Sequence, residues 1–128
     1  MSELTPYICV ADSRAAIDFY TSTLGAVVTM EPIVMPDGRI GHCELTVDGA
    51  RWMMSDAFDE AGVAPPDPAR HNAVTLHLTV AGVDDLVERL RAAGARVDRE
   101  PEENPPIGRV AVVHDPFGHR WFLNEPSA

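Results

Sequence analysis

The second half of the chain repeats the pattern of the first. Laying Val10 through Val28 on Val80 through Val97 superposes a strand, a connection, a helix, a Gly-Ala stop and the start of another strand, at an offset of about 70 residues. Identity between the copies is low, so the repeat lives in the pattern of apolar and turn residues. The spacing predicts one α+β domain over residues 1–128, made of a first module at 1–57, a linking loop at 58–72 and a second module at 73–128.

Within the first copy, Pro6 to Val10 is a short apolar stretch that predicts a strand. Arg14 to Leu24 carries Ala16, Ile17, Tyr20 and Leu24 at helical spacing, with Asp12 or Ser13 placed to cap the start and Gly25 to end it. Ala26 to Val34 and Arg39 to Val47 predict two more strands around a Pro36-Asp37-Gly38 turn. Asp48-Gly49 is a hairpin signal before a strand over Arg51 to Ser55. Phe58 to Asn72 holds Asp, Glu, Gly, Ala and three prolines, a composition that predicts neither helix nor central strand. The second copy predicts strands at Ala73–Val80, from Arg96, at Arg109–Val113 and at Arg120–Asn124, with a helix over Val83–Ala93. Glu100 to Gly108 is expected as an acidic, proline-rich loop, and Asp115-Pro116-Phe117-Gly118 as a turn.

Alternation assigns faces to five of these strands. Ile8, Val10, Cys43, Leu45, Val47, Trp52, Met54, Leu76, Leu78, Val80, Trp121 and Leu123 are expected under the helices. Their alternate neighbours are Thr5, Tyr7, Cys9, His42, Glu44, Thr46, Arg51, Met53, Ser55, Thr75, His77, Thr79, Arg120, Phe122 and Asn124. A merely solvated face would be rich in Lys and Glu. This one has two His, a Tyr, a Phe, a Met and four Thr against three formal charges, which is the composition of a pocket lining. The candidate ligand-binding residues are therefore Tyr7, His42, Glu44, Met53, Ser55, Thr75, His77, Arg120 and Phe122. Pairing of two subunits is the plainer use of the same face.

Ten Lys plus Arg against 20 Asp plus Glu leave a net charge of -10, which repels nucleic acid and anionic membranes. No apolar run approaches the roughly 20 residues of a membrane span, and Met1 to Tyr7 lacks the parts of a secretion signal, so the cytoplasm is the expected compartment. Cys9 and Cys43 are too few and too isolated for a zinc motif or a disulfide framework and are expected as reduced thiols.

Asp18-Phe19-Tyr20 before Leu24-Gly25, the Gly41-His-Cys-Glu-Leu45 strand and the run from Asp115 to Trp121 resemble the vicinal oxygen chelate superfamily of glyoxalases, bleomycin-resistance proteins and extradiol dioxygenases. Within it the chain looks most like the small PhnB-like and bleomycin-resistance-like proteins. The resemblance implies paired βαβββ modules forming a curved mixed-sheet cup, a homodimer, a small-molecule ligand and, in the enzymes, a divalent metal. By register, the metal positions it implies fall on Thr5, Ser55, Thr75 and Phe122, none of which suits such an ion. No metal and no other cofactor is therefore expected at the usual place.

Two functions follow as expectations. One is a binding protein that sequesters an aromatic or cationic, antibiotic-like molecule, with Tyr7, Met53 and Phe122 as apolar contacts and Glu44 as charge partner. The other is a lyase, isomerase or related enzyme using His42, Glu44 and His77, with a divalent metal or with Glu44 or His77 as general base. His71, His114 and His119 lie at loop or turn positions and are expected to be structural. Asp56, next to Ser55, is a further candidate only if the strand register shifts.

Overall fold

The computed structural model describes residues 1–127. The chain divides into two compact units, Met1–Pro66 and Asp67–Ala128. The first contains β1 (Tyr7–Cys9), α1 (Ser13–Thr23), β2 (Val27–Val34), β3 (Ile40–Val47) and β4 (Ala50–Ser55); the second contains β5 (Thr75–Thr79), α2 (Val83–Ala92), β6 (Arg96–Asn104), β7 (Gly108–His114) and β8 (Arg120–Pro126). Their sheets have the orders β1-β4-β3-β2 and β5-β8-β7-β6. In each unit the first strand pairs parallel with the last and the remaining pairs are antiparallel. Both units are thus βαβββ modules, as the repeat predicts.

The helices form where caps and apolar spacing coincide. The Asp12 carboxylate accepts from the backbone N–H of Ala15 at 3.1 Å, and α1 buries Ser13, Ala16, Phe19, Tyr20 and Thr23. Its buried face differs from the expected one, since Phe19 and Thr23 are buried where Ile17 and Leu24 are only partly so. Tyr20, on the buried face in both readings, meets Trp52 of β4 edge to face at 5.4 Å, a geometry that aromatic quadrupoles favour. Helix α2 buries Val83, Leu86, Val87 and Leu90, and has Asp84 and Asp85 in its first turn with Arg89 and Arg91 in its last, the polarity that suits its dipole.

Each helix start is also tied to the sheet by a carboxylate from the neighbourhood of the unit's last strand. In the first unit, Asp56 is buried and accepts from Ser13 N and Ile40 N, both at 2.7 Å. In the second, Glu125 accepts from Val83 N at 2.9 Å. Asp56 is therefore not a spare ligand beside Ser55, because both its oxygens are committed to backbone donors.

Two expectations need correction. The Glu100–Gly108 segment is not a loop throughout, because β6 runs on to Asn104, with Glu102, Glu103 and Asn104 opposite Val110, Arg109 and Gly108. Pro101 is compatible with this because β6 is an edge strand and a register shift separates Arg99 from Glu102, so no ladder donor is lost at the proline. Gly108 makes the following turn possible: its φ is +131°, and a Cβ there would lie 2.2 Å from the Glu125 carbonyl oxygen. The linking loop, read as helix-free, contains one 3-10 turn at Asp59–Ala61, closed by a bridge between Phe58 and Val63. Its prolines begin only at Pro65 and leave that turn untouched.

The Asp115–Gly118 turn behaves as expected. Asp115 accepts from Phe117 N at 2.9 Å, His119 N at 3.0 Å and the Trp121 indole N–H at 2.8 Å, which fixes the entry of β8.

Replacing Asp56 by Ala strands two buried N–H donors, so Asp56→Ala should cost about 3 kcal/mol of stability. The exposed cap variant Asp12→Ala should cost only about 1 kcal/mol. Urea denaturation of the two variants checks the ranking, and equal losses would contradict it.

Candidate functional site

Pairing of β1 with β4 and of β4 with β3 brings three of the alternate-face residues into one neighbourhood. Tyr7 stands opposite Met53, and Met53 opposite Glu44. Two residues back along β3, His42 sits on the same face. Its Nδ1 lies 2.7 Å from the Tyr7 hydroxyl and its Nε2 lies 2.8 Å from Glu44 Oε2. The Tyr7 hydroxyl is also 3.1 Å from the Gly41 carbonyl oxygen, and its ring meets the imidazole edge to face at 5.2 Å. Behind Glu44 stands Arg51 at 3.8 Å, itself paired with Glu3 at 2.8 Å and placed to donate to Thr5 Oγ1 at 3.5 Å. Burial, followed by the nearby Cys43 and Glu44 groups, holds the Tyr7 phenol above its ordinary value, so it remains a neutral hydroxyl.

This polar row opens on an apolar pocket of about 650 Å³ within the first unit. Tyr7 and Ile8 of β1, His42 and Gly41 of β3, and Ser55 of β4 form its floor. Ile33 of β2 and Met35 beyond it form one wall, and Phe58, Ala61 and Val63 of the linking loop form the other. Gly41 lets that wall come close, since a Cβ at this position would meet Met35 Sδ at 2.7 Å. Ser55 directs its hydroxyl to the Asp56 carbonyl at 2.9 Å, which leaves the Tyr7–His42 pair as the polar feature of an otherwise apolar lining.

Arg39 holds the loop wall in place. Its guanidinium lies 4.0 Å from the Phe58 ring centroid, donates to the Ala57 carbonyl at 3.0 Å and to Glu60 at 3.1 and 3.2 Å, and is anchored from the other side by Asp37 at 2.8 Å. These bonds raise the Arg39 value and lower those of Asp37 and Glu60, chiefly through the shared hydrogen bonds.

In the second unit the equivalent register carries different chemistry. His77 stands opposite Phe122, as Tyr7 stands opposite Met53, and the two rings stack at 5.5 Å. Val112 is opposite Phe122, so it occupies the place that Glu44 has in the first unit; Val110, two residues back, occupies that of His42. Both valines are buried. Arg120 donates to Thr75 Oγ1 at 2.8 Å, repeating the Arg51–Thr5 pair. The carboxylate–imidazole–phenol row therefore occurs in the first unit, while the second has valines in the places of Glu44 and His42 and His77 in that of Tyr7.

Of the residues expected to bind, Tyr7, His42 and Ser55 line the first unit's pocket, Glu44 backs His42, and Met53 lies beside them in register. Thr75, His77, Arg120 and Phe122 form a separate cluster in the second unit. His42 and Glu44 bond to each other, while the exposed His77 stacks on Phe122. Within each unit, no group of three His, Cys, Asp or Glu is arranged to hold a metal ion among the described residues. Thr5 and Thr75 face arginines, Ser55 donates to a carbonyl and Phe122 has no donor atom, so none of these four side chains offers the carboxylate or imidazole that a divalent ion prefers. Sequence reasoning missed Ile33, Met35, Gly41, Phe58, Ala61 and Val63, and expected Ile8 only under the helix. The cluster of Phe58, Ala61 and Val63 inside a polar segment is the one signal that could have found the loop wall.

His114, expected as structural, is held by Asp98 at Nδ1 and by Asn72 Oδ1 at 2.6 Å from Nε2, and Asn72 in turn donates to the Gly118 carbonyl at 2.8 Å. It tethers the end of the linking loop to the β7–β8 turn.

Comparison with known proteins places these features in context. The model of the Glyoxalase/Bleomycin resistance protein/Dioxygenase superfamily matches residues 4–123. An uncharacterized protein of Mycobacterium bovis is 36% identical over 126 residues, covering 96% of this chain and 82% of that protein. Among solved structures, TioX of Micromonospora sp. ML1 superposes with a TM-score of 0.71 at 22% identity, covering 99% of this chain and 98% of TioX. The fosfomycin resistance protein FosX of Listeria monocytogenes gives 0.71 at 15% identity, covering 100% of this chain and 94% of FosX. Both structures share the fold.

Removing the guanidinium in Arg39→Ala should free the loop wall while changing global stability by less than about 1 kcal/mol, because its ion pairs are exposed. Hydrogen exchange should quicken at the Phe58 and Val63 amides, whose bonds across the bridge are 2.8 and 3.0 Å. Acid should act likewise: the Asp37 and Glu60 carboxyls are lowered, so their contribution is present above the usual carboxylate range near about 4 and is lost as pH falls through the lowered values. Exchange unchanged in Arg39→Ala would remove Arg39 from this role.

Proposed function

Because the chain belongs to the Glyoxalase/Bleomycin resistance protein/Dioxygenase superfamily, we propose that it binds a small, largely apolar or aromatic molecule in the first unit's pocket. The observation that carries this is an apolar cavity of about 650 Å³ with one polar row, Tyr7–His42–Glu44, at its floor. That size lies within the roughly 300–1,000 Å³ of ordinary ligand sites, and few convergent polar groups in an apolar lining are their usual composition. Apolar burial supplies affinity at about 25 cal/mol per Å² removed from water, and the polar row selects orientation.

A neutral aromatic ligand fits better than a cationic one. The carboxylates near the pocket are largely committed: Glu44 is met by His42 at 2.8 Å and Arg51 at 3.8 Å, Asp56 by two backbone donors and Glu60 by Arg39. A cation would have to displace one of these to gain a partner. The enzymatic alternative finds support in the same row, since imidazole backed by carboxylate is a competent general base once a substrate proton lies within reach. Binding is preferred because it needs no further group.

The remaining inferences are a second copy of the chain as partner and the cytoplasm as compartment. Val27, Val34 and Ile33 of β2 are 61%, 57% and 46% exposed, an apolar edge that a homodimer would cover. Cys9 and Cys43 are buried and form no disulfide, as suits a reducing compartment. No helix among the described residues is long and apolar enough to cross a membrane.

Fluorescence of the neutral probe N-phenyl-1-naphthylamine tests the pocket. Saturable binding of about one probe per chain should be weakened at least about tenfold by Ala61→Trp, whose indole would fill the cavity, the equivalent of about 1.4 kcal/mol. Undiminished binding in Ala61→Trp would move the site elsewhere, and no saturable binding to the unmodified protein would end the proposal.

A further inference from the structure

The polar row can be counted in protons. Its two ends, the Glu44 carboxylate and the Gly41 carbonyl, only accept. Between them lie three short contacts: Glu44 Oε2 to His42 Nε2 at 2.8 Å, His42 Nδ1 to the Tyr7 hydroxyl at 2.7 Å, and that hydroxyl to Gly41 O at 3.1 Å. Three hydrogen bonds need three protons. Tyr7 has one; a neutral imidazole adds one and an imidazolium adds two.

The two protonation states therefore present different faces to the pocket. With His42 neutral, Nε2–H donates to Glu44 and the single phenol proton goes to Nδ1. The third contact then has no proton, and the Tyr7 oxygen is left with lone pairs that call for a donor. With His42 charged, Nδ1–H donates to the Tyr7 oxygen, and the phenol O–H is released toward Gly41 O or toward an acceptor in the pocket. Burial keeps the phenol itself protonated, so the change of role belongs to the imidazole.

We propose that this row makes ligand choice proton-linked. An aromatic molecule bearing a hydroxyl or amine donor binds the neutral-His42 form, whereas one bearing a carboxylate or phenolate oxygen binds the charged form and brings one proton with it. This rests on the pocket being the ligand site, and deepens that assignment by naming the chemistry of the ligand's polar group. The titratable and charged groups around His42 are Tyr7 of β1, Cys43 and Glu44 of β3, Arg51 of β4 and, behind Arg51, Glu3. Arg51 stands 3.8 Å from Glu44, and Cys43 is buried with its thiol pushed up to about 11 by burial, so it stays un-ionised. From β2 comes Ile33, opposite His42 in register, and from the loop wall the uncharged Phe58 and Val63, with Asp59 and Glu60 between them and Glu60 held by Arg39. Of the side-chain types in the row, imidazole is the one whose ordinary charge change falls between about pH 5 and 8.

Titration calorimetry with two probes of one shape tests it: naphthalene-2-carboxylate, ionised over that range, and 2-naphthol, un-ionised over it. Affinity for the carboxylate should rise as pH falls, approaching about tenfold per pH unit where His42 is neutral and levelling once it is charged. Affinity for the naphthol should move the other way. His42→Gln, which bonds but does not titrate, should flatten both profiles, and Tyr7→Phe should keep both probes bound with little discrimination between them. If both probes bind and respond to pH alike, or if the slope survives in His42→Gln, proton linkage through this row is wrong while the pocket stands. If neither probe binds at any pH, the pocket assignment falls with it.

Discussion

Parallel pairing of the first strand of each unit with its last is the constraint on which the other features depend. Strand β1 has only three residues, too few to stand at a sheet edge by their own hydrogen bonds, yet β4 holds it in register through Tyr7–Met53, Ile8–Met54 and Cys9–Ser55. That register puts Ile8 in the core and Tyr7 on the opposite face, beside His42. The connection from β1 back to the sheet passes through α1, whose start is tied to the end of β4 by the buried Asp56 carboxylate. A slip of one residue would exchange the two faces and bury Tyr7 where Ile8 now packs.

Duplication produced two such frames, and the two have diverged in what they carry. Both keep a buried helix face, an edge strand interrupted near a proline, and an arginine from the last strand meeting a threonine ahead of or at the start of the first. Side chains differ widely between them, those of the pocket face among them. His42 and Glu44 on β3 answer to the buried Val110 and Val112 on β7, so the carboxylate–imidazole pair of one sheet face is aliphatic on the other, beside the stack of His77 on Phe122. Charged side chains on a partly buried face are costly unless paired. Here Glu44 is compensated by His42 and Arg51, which explains how the row persists beside an apolar cavity.

Several parts of this arrangement are legible along the chain for clear physical reasons. Helix α2 follows from Val83, Leu86, Val87 and Leu90 at helical spacing, and the β3 face follows from strict alternation around Cys43 and Leu45. The acidic segment after Glu100 is not legible as a strand, because proline and like charges are poor strand formers and only pairing with β7 offsets them. Likewise Met35, Phe58 and Val63 have no period to betray them. Their place in the pocket is made by the Arg39 clamp and by the absence of a side chain at Gly41.

Local chemistry, then, determined the repeat, the elements, the apolar faces and the residues able to carry protons, since each depends on spacing within a few residues. Tertiary structure decided which of those residues meet. It joined Tyr7 to His42 across 35 positions, gave His77 a ring to stack on, committed Asp56 to two backbone donors and raised a loop into a pocket wall. Such contacts depend on strand order and register, which are set by the packing of whole faces against one another and leave no trace in any short stretch of sequence.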